Sequence, residues 1–236
     1  QQAERLGCKT INEEVTSIAK EDNAFLITTP QKTYTAKSVI LTLGATPRKL
    51  GIEAEAHFSG KGVSYCAVCD GALFRNKDVA VVGGGDTAIG DAVYLARFAT
   101  SVTVIHRRDQ LRAAKLLQDR AFSNPKIKFI FDSVVEDLQG EEYLETVRVK
   151  NVKTQEISEI KAAGLFVAVG LLPQNQIVNG LVDMDENGYI ISDDHMRTSV
   201  KGLFAAGDGR QKHLRQVITA AADGAIAADS AIEYIN

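Results

Sequence analysis

Cys66 and Cys69 are the residues whose types and spacing most directly allow chemistry in this sequence. A separation of three positions lets one helical turn bring two sulfur atoms close enough to bond, which favours a redox-active pair. Two other interpretations remain open. The pair could be half of a zinc site that recruits Cys8 or some of the four histidines, or it could be two inert packing cysteines. Cys8 stands alone and is interpreted as an incidental thiol.

Asp70 directly follows the second cysteine of the pair. Thiol–disulfide exchange passes through a thiolate, so a neighbouring carboxyl group could donate and accept the proton. A surface position or a helix cap would equally explain an aspartate here. We interpret Asp70 as a catalytic acid and base candidate beside Cys66 and Cys69.

A glycine turn beginning at Gly83 is the second chemical signal. The apolar run 79–82 precedes it and an amphipathic pattern follows, so the order is strand, G-x-G-x-x-A and helix. This arrangement lets backbone approach a pyrophosphate at a helix N-terminus. The candidate nucleotide-binding residues of the turn are Gly83, Gly85, Asp86, Thr87 and Ala88.

The next predicted strand ends in His106-Arg107-Arg108, with Arg112 close behind. NAD-binding units place an acidic residue near this point to hold the ribose 2′-hydroxyl. Guanidinium groups instead suit a phosphate, so these residues favour NADPH. A solvated basic turn is the alternative interpretation.

Composition excludes several classes of function. The 236 residues are 45% hydrophobic and 24% charged, with a net charge of -3, which gives no broad basic field for nucleic acid or anionic membrane. No apolar run approaches the roughly 18 residues needed to cross a bilayer, and the polar start lacks a signal-peptide core. Three cysteines are too few for a secreted disulfide framework. We predict a cytoplasmic protein without a metal site.

The elements that must position these residues alternate between strand and helix. The pattern predicts a βαβ unit over 79–82, 87–98 and 102–105, and a doubly wound parallel sheet. Further predicted elements are strands at 25–29 and 38–43, a helix at 112–122, a strand at 127–131, a β-meander over 134–138, 144–149 and 156–160, a strand at 202–206 and a helix at 216–234. The first and last segments are assigned to one domain and the middle to another.

The motifs at 66–71, 83–88 and 106–113 closely resemble those of the low-molecular-weight, bacterial-type thioredoxin reductases in order and spacing. The resemblance extends to 204–208, to 215–216 and to the Ala-rich final helix. It implies an α/β flavoprotein with two Rossmann-like dinucleotide-binding domains. The FAD domain, residues 1–47 and 173–236, would be split around an NADPH domain, residues 48–172, that carries the redox-active disulfide.

The resemblance also implies roles. FAD and NADPH would be the cofactors, thioredoxin or a similar protein the partner, and the molecule a homodimer in which the NADPH domain rotates. Cys69 would lie beside the flavin, Cys66 would attack the partner disulfide, and Asp70 would be the acid. Asp208 would bind the phosphate–ribityl part of FAD. Further cofactor candidates are Gly44, Gly170, Gly207, Arg215, Gln216 and Val217.

Three departures from the family pattern stand out. No G-x-G-x-x-G precedes Gly83, so we expect the chain to begin partway through the FAD domain. Thr42-Leu43-Gly44-Ala45 replaces the usual Ala-Thr-Gly-Ala, and Gly90-Asp91 replaces an acidic pair. Two alternative functions remain open: a peroxiredoxin-reducing relative, or an NADPH-binding redox sensor that lacks flavin, which the missing motif favours.

Overall fold

The computed structural model describes residues 2–236, which divide into two compact units. Residues up to Thr46 together with Leu172–Asn236 form the split unit, and Pro47–Leu171 form the inserted unit. The helices and strands are, in chain order, α1 (Gln2–Arg5), β1 (Ser17–Glu21), β2 (Ala24–Thr28), β3 (Thr33–Ala36), β4 (Val39–Leu41), β5 (Ala45–Pro47), α2 (Ala54–Phe58), β6 (Val63–Ser64), α3 (Ala67–Asp70), β7 (Asp78–Val82), α4 (Asp86–Leu95), β8 (Ser101–Ile105), α5 (Lys115–Phe122), β9 (Ile127–Ile130), β10 (Ser133–Gln139), β11 (Thr146–Asn151), β12 (Ile157–Lys161), β13 (Gly164–Val167), β14 (Leu171–Pro173), β15 (Leu203–Ala205) and α6 (Val217–Ile235).

A five-stranded sheet with the order β6-β13-β7-β8-β9 is the centre of the inserted unit, and its strand pairs are parallel. β7, α4 and β8 form the predicted βαβ unit. β7 is buried along Val79–Val82, as expected for a parallel strand covered on both faces. The predicted α/β class with a parallel sheet is confirmed.

Alternating residues of β7 pack against different layers. Val79 and Val81 belong to the core under α4, which contributes Ala88, Ile89 and Leu95. Ala80 and Val82 belong to a second core on the other face of the sheet. This alternation follows from the two-residue period of a strand.

The second core is covered by an antiparallel meander, β10-β11-β12, as predicted from the sequence. Leu138, Val147 and Val149 of this meander are buried against the sheet. A register irregularity between Val135 and Asp137 bends β10. The meander therefore takes the place of a helical layer on this face.

The split unit contains an antiparallel sheet β1-β2-β3 and a parallel pair β15-β4. The sequence predicted β2 and β4 but not β1 or β3, which are mostly exposed and lack a clear apolar pattern. The final helix, α6, is confirmed. Gln216 and Thr219 form a capping box at its N-terminus, in which the side chain of each residue accepts a hydrogen bond from the backbone N–H of the other.

The helix predicted from residue 112 begins instead at Lys115. The backbone N–H groups of Arg112 and Ala113 donate to the Gly84 oxygen at 2.7 and 3.1 Å. The N–H of Ala114 donates to Asp86 Oδ1 at 2.6 Å. Because these groups bind the glycine turn, residues 112–114 form a loop that is fixed against the start of α4.

Among residues 2–236, no helix is both long and apolar enough to cross a membrane.

Candidate active site

Cys66 and Cys69 are joined in a disulfide at the single-turn helix α3, with their Cα atoms 5.3 Å apart. Cys66 is the N-cap residue, and its Sγ accepts a hydrogen bond from the Cys69 N–H at 3.2 Å. Cys66 is half-buried and Cys69 is exposed. The bonded pair matches a redox-active centre, and in residues 2–236 no group of three or more His, Cys, Asp or Glu could hold a metal ion.

Asp70 is held by Ser64, a residue that sequence reasoning missed. The Ser64 hydroxyl, buried at the end of β6, donates to Asp70 Oδ2 at 2.6 Å and accepts from the Cys66 N–H at 3.1 Å. One side chain therefore fixes the carboxyl group relative to the disulfide. The only sequence signal was a serine two positions before Cys66, which no motif singled out.

The first two glycines of the turn are required by their neighbours. A Cβ on Gly83, whose φ is +145°, would overlap the Ala168 oxygen, and a Cβ on Gly84 would overlap the His106 ring. A Cβ on Gly85 would meet nothing within 4 Å. The open space in front of α4 therefore gives an anion access to backbone N–H groups at the helix N-terminus. Thr87 is exposed in the first turn of α4, whereas Ala88 is buried beneath it.

His106 follows β8 and is buried against the glycine turn. It is 5% exposed, and its Nε2 lies 3.1 Å from the Gln110 oxygen. Burial lowers the pKa of His106, and the charges of Arg112, Arg107 and Arg108 lower it further. The ring therefore stays neutral at pH 7 and packs against Gly84.

A cavity of about 490 Å³ lies at the carboxyl ends of β7 and β8. Gly83, Gly84, His106, Arg107 and Arg112 line it. Arg107, Arg108 and Arg112 are exposed, and none of them forms an ion pair with a carboxylate in the described part of the chain. Their guanidinium groups are available to a phosphate at this edge of the sheet.

Arg48 and Lys49 line the same cavity from the loop before α2. The Arg48 N–H donates to the oxygen of Gly170 at 3.0 Å, and Gly170 has a φ of +109°. The backbone oxygen of Gly170 therefore fixes the start of the loop 48–51, which we call the Arg48 loop. Sequence reasoning missed both cations, because nothing local connects residues after Pro47 with a turn at Gly83.

In the split unit, Asp208 lies in the turn Gly207–Gly209, and its buried Oδ1 has no hydrogen-bond partner among residues 2–236. The Gly207 N–H donates to Asp223 Oδ2 at 3.0 Å. Lys212 Nζ also binds this oxygen, at 2.6 Å. A buried oxygen without a partner is costly, so a ligand hydroxyl at Asp208 would satisfy it.

The other predicted flavin residues lie near the start of α6. The Arg215 guanidinium lies over the Tyr189 ring at 4.0 Å, and its Nε–H donates to the backbone oxygen of Asp208 at 3.3 Å. Gln216 is occupied in capping α6, and Val217 is 88% exposed. Of these residues, Arg215 contacts the Asp208 turn directly.

The departures from the family pattern are accommodated locally. Leu43 packs on the apolar core of the split unit. Gly44 has a φ of +72°, and a Cβ on Gly44 or on Gly90 would meet nothing within 4 Å. Burial raises the pKa of Asp91 to about 6.

Comparisons with known proteins identify the family of the chain. The model of the pyridine nucleotide-disulphide oxidoreductase family matches residues 3–224. Thioredoxin reductases of Peptoclostridium acidaminophilum and Treponema pallidum are 46% and 48% identical, and the matches cover 100% of this chain and 76% of each relative. The crystal structure of thioredoxin reductase from Streptococcus pyogenes superposes with a TM-score of 0.93 at 48% identity, covering 99% of this chain and 77% of that one. The chain therefore belongs to the pyridine nucleotide-disulphide oxidoreductase family and, within it, to the bacterial-type thioredoxin reductases.

Proposed function

We propose that the chain acts as an NADPH-dependent thioredoxin-disulfide reductase, in which electrons from NADPH reach Cys66–Cys69 by way of FAD and then pass to thioredoxin or a similar dithiol protein. The observation that carries this proposal is the bonded cysteine pair in the same compact unit as a glycine turn and a basic loop. The cysteine pair would accept the electrons, and the glycine turn and basic loop would bind the nucleotide.

The inserted unit is proposed to bind the nucleotide. Gly83 and Gly84 permit close backbone approach, and the first turn of α4 offers N–H groups to the pyrophosphate. Arg107, Arg108 and Arg112 would then hold the 2′-phosphate, which NADPH has and NADH lacks. Residues 48–172 are accordingly assigned to an NADPH-binding domain.

Residues 1–47 and 173–236 are assigned to FAD binding. The buried, unpaired Asp208 Oδ1 supports this assignment, since it would accept a hydrogen bond from a ribityl hydroxyl. Gly44 and Gly207 leave room for close approach, and the residues 215–217 would contact the flavin end. When bound, FAD supplies the two-electron relay between nicotinamide and disulfide.

Two electrons and two protons convert the S–S bond into the thiols of Cys66 and Cys69, and loss of one of these protons leaves Cys66 as a thiolate. The Cys69 N–H, which points at Cys66 Sγ, would stabilise a Cys66 thiolate. This thiolate attacks the partner disulfide and forms a mixed disulfide, and the departing sulfur takes a proton. The Cys69 thiolate then attacks Cys66 Sγ, releases the second partner thiol and restores the original disulfide.

Asp70 would be the proton donor and acceptor in these steps. Ser64 binds Oδ2 of its carboxyl group, which leaves Oδ1 to exchange a proton with the sulfur atoms. The resemblance to the family further supports a homodimer, and the low cysteine content supports a cytoplasmic location.

Replacing Arg107 and Arg108 together with Ala should weaken NADPH binding and leave NADH binding nearly unchanged. Each charge-assisted hydrogen bond contributes about 1.5–3 kcal/mol, so we expect the NADPH dissociation constant to rise about tenfold or more. Calorimetric titration measures both constants. Arg120→Ala, an exposed arginine on α5 outside the cavity, is the control. Equal losses for the two nucleotides would contradict a 2′-phosphate site.

NADPH oxidation coupled to thioredoxin, measured with FAD present, tests the function itself. Cys66→Ser and Cys69→Ser should each abolish thioredoxin reduction, because both sulfurs take part in the exchange. Cys8→Ser, which changes an exposed free thiol, should keep full activity. Reduction that continues in the two variants would exclude the proposed route. A protein that binds NADPH but never carries flavin would instead favour the redox sensor.

Asp70→Asn should slow thioredoxin reduction about 10²- to 10⁴-fold, the usual contribution of a positioned acid or base, without changing NADPH affinity. Ser64→Ala should also lower the turnover number, and Ser64→Thr should restore part of it. If Ser64 acts through Asp70, Ser64→Ala should not lower the turnover number any further in the Asp70→Asn background. Independent, additive losses would show that the two residues act separately.

A further inference from the structure

Glu55 is a carboxylate buried deep in the inserted unit, at the first turn of α2. It is 2% exposed. The Leu50 N–H donates to Oε1 at 3.0 Å and the Gly51 N–H to Oε2 at 3.1 Å. The Tyr65 hydroxyl donates to Oε1 at 2.9 Å. Both oxygens of one side chain therefore hold two separate segments.

Removing a carboxylate from water is costly unless hydrogen bonds replace those lost to the solvent. Three donors replace them here, and hydrogen bonds to a charged acceptor are stronger than those between neutral groups. Phe58 and Val63 form an apolar core beside the site, so an apolar residue would fill the space without this cost. The carboxylate contributes something that packing alone would not, namely a fixed position of both segments.

The first segment belongs to the nucleotide cavity. Arg48, Lys49 and Leu50 line that cavity. The bond from the Arg48 N–H to Gly170 holds one end of this loop, and the bonds from Leu50 and Gly51 to Glu55 hold the other. A bound phosphate that attracts the two cations will therefore act on a loop attached to Glu55.

The second segment leads directly into the disulfide. Tyr65 lies between Ser64, which binds Asp70, and Cys66. Burial raises the pKa of Tyr65 to about 12, and the hydrogen bond and negative charge of Glu55 raise it as well. The phenol thus remains a donor throughout the physiological pH range and keeps Tyr65 attached to Glu55.

We propose that Glu55 is a positioning residue that couples the nucleotide cavity to the redox disulfide, through Leu50 and Gly51 on one side and Tyr65 on the other. A nucleotide that immobilises the Arg48 loop restrains Tyr65 and slows the opening of the Cys66–Cys69 bond. The inference rests on the proposed function, since it takes the cavity as the nucleotide site and the pair as redox-active.

The test measures reduction of the disulfide by dithiothreitol in the purified chain, with and without saturating NADP⁺, by alkylating the new thiols and measuring the mass of the protein. In the unsubstituted chain NADP⁺ should slow reduction about fivefold, the lower end of usual coupling between sites. Tyr65→Phe keeps the ring and removes the bond. It should bind NADP⁺ normally by calorimetry and yet lose the effect of NADP⁺ on the rate.

Tyr94→Phe is the matched control. Tyr94 is also half-buried in the inserted unit, and its hydroxyl makes no hydrogen bond within residues 2–236. This variant should keep the full NADP⁺ effect. Glu55→Gln should lose the effect and bind NADP⁺ more weakly, because an amide nitrogen cannot accept a backbone N–H.

Direct shielding of the disulfide by NADP⁺ would survive in Tyr65→Phe, and that result overturns the coupling. An unsubstituted chain that binds NADP⁺ with no change in the reduction rate also overturns it. Both results leave the proposed function standing. Absence of NADP⁺ binding to the unsubstituted chain would instead overturn the nucleotide site and the coupling together.

Discussion

The backbone of Gly84 is the junction on which the rest of the candidate site depends. Its oxygen accepts hydrogen bonds from the N–H groups of Arg112 and Ala113, and its missing side chain leaves room for the buried His106 ring. The basic loop therefore cannot move independently of the glycine turn. Because the loop backbone is already fixed beside the open N-terminus of α4, an anion that binds there has only the exposed arginine side chains left to order.

Helix α4 connects the glycine turn to the segment that carries the disulfide. Its N-terminus follows the glycine turn, and further along, Leu95 and Tyr94 lie against Gly71, the residue that follows α3. Parallel strands buried on both faces fix α4 in turn through a continuous apolar core. The proposed nucleotide site and the disulfide thus share one rigid support, whereas the proposed coupling through Glu55 runs along loops.

Features of the sequence that depend on local periodicity were predicted correctly. The βαβ unit and the meander follow from short-range patterns, and the Cys66–Cys69 pair from spacing within one helical turn. The helix expected at residue 112 starts later because Asp86 and Gly84 bind the intervening backbone, and those partners are distant in the sequence. Ser64, Glu55 and Arg48 were missed for the same reason, since their roles come from contacts between segments. The roles assigned to individual site residues remain predictions.

The central claim is that NADPH electrons reach the Cys66–Cys69 disulfide in this protein. An anaerobic titration of the FAD-loaded protein with NADPH, with free thiols counted at each step, tests it most directly. Electron balance predicts two new thiols, at Cys66 and Cys69, for each NADPH consumed by the disulfide, while the Cys8 thiol stays constant. Oxidation of NADPH with no new thiol at these two positions would contradict the account.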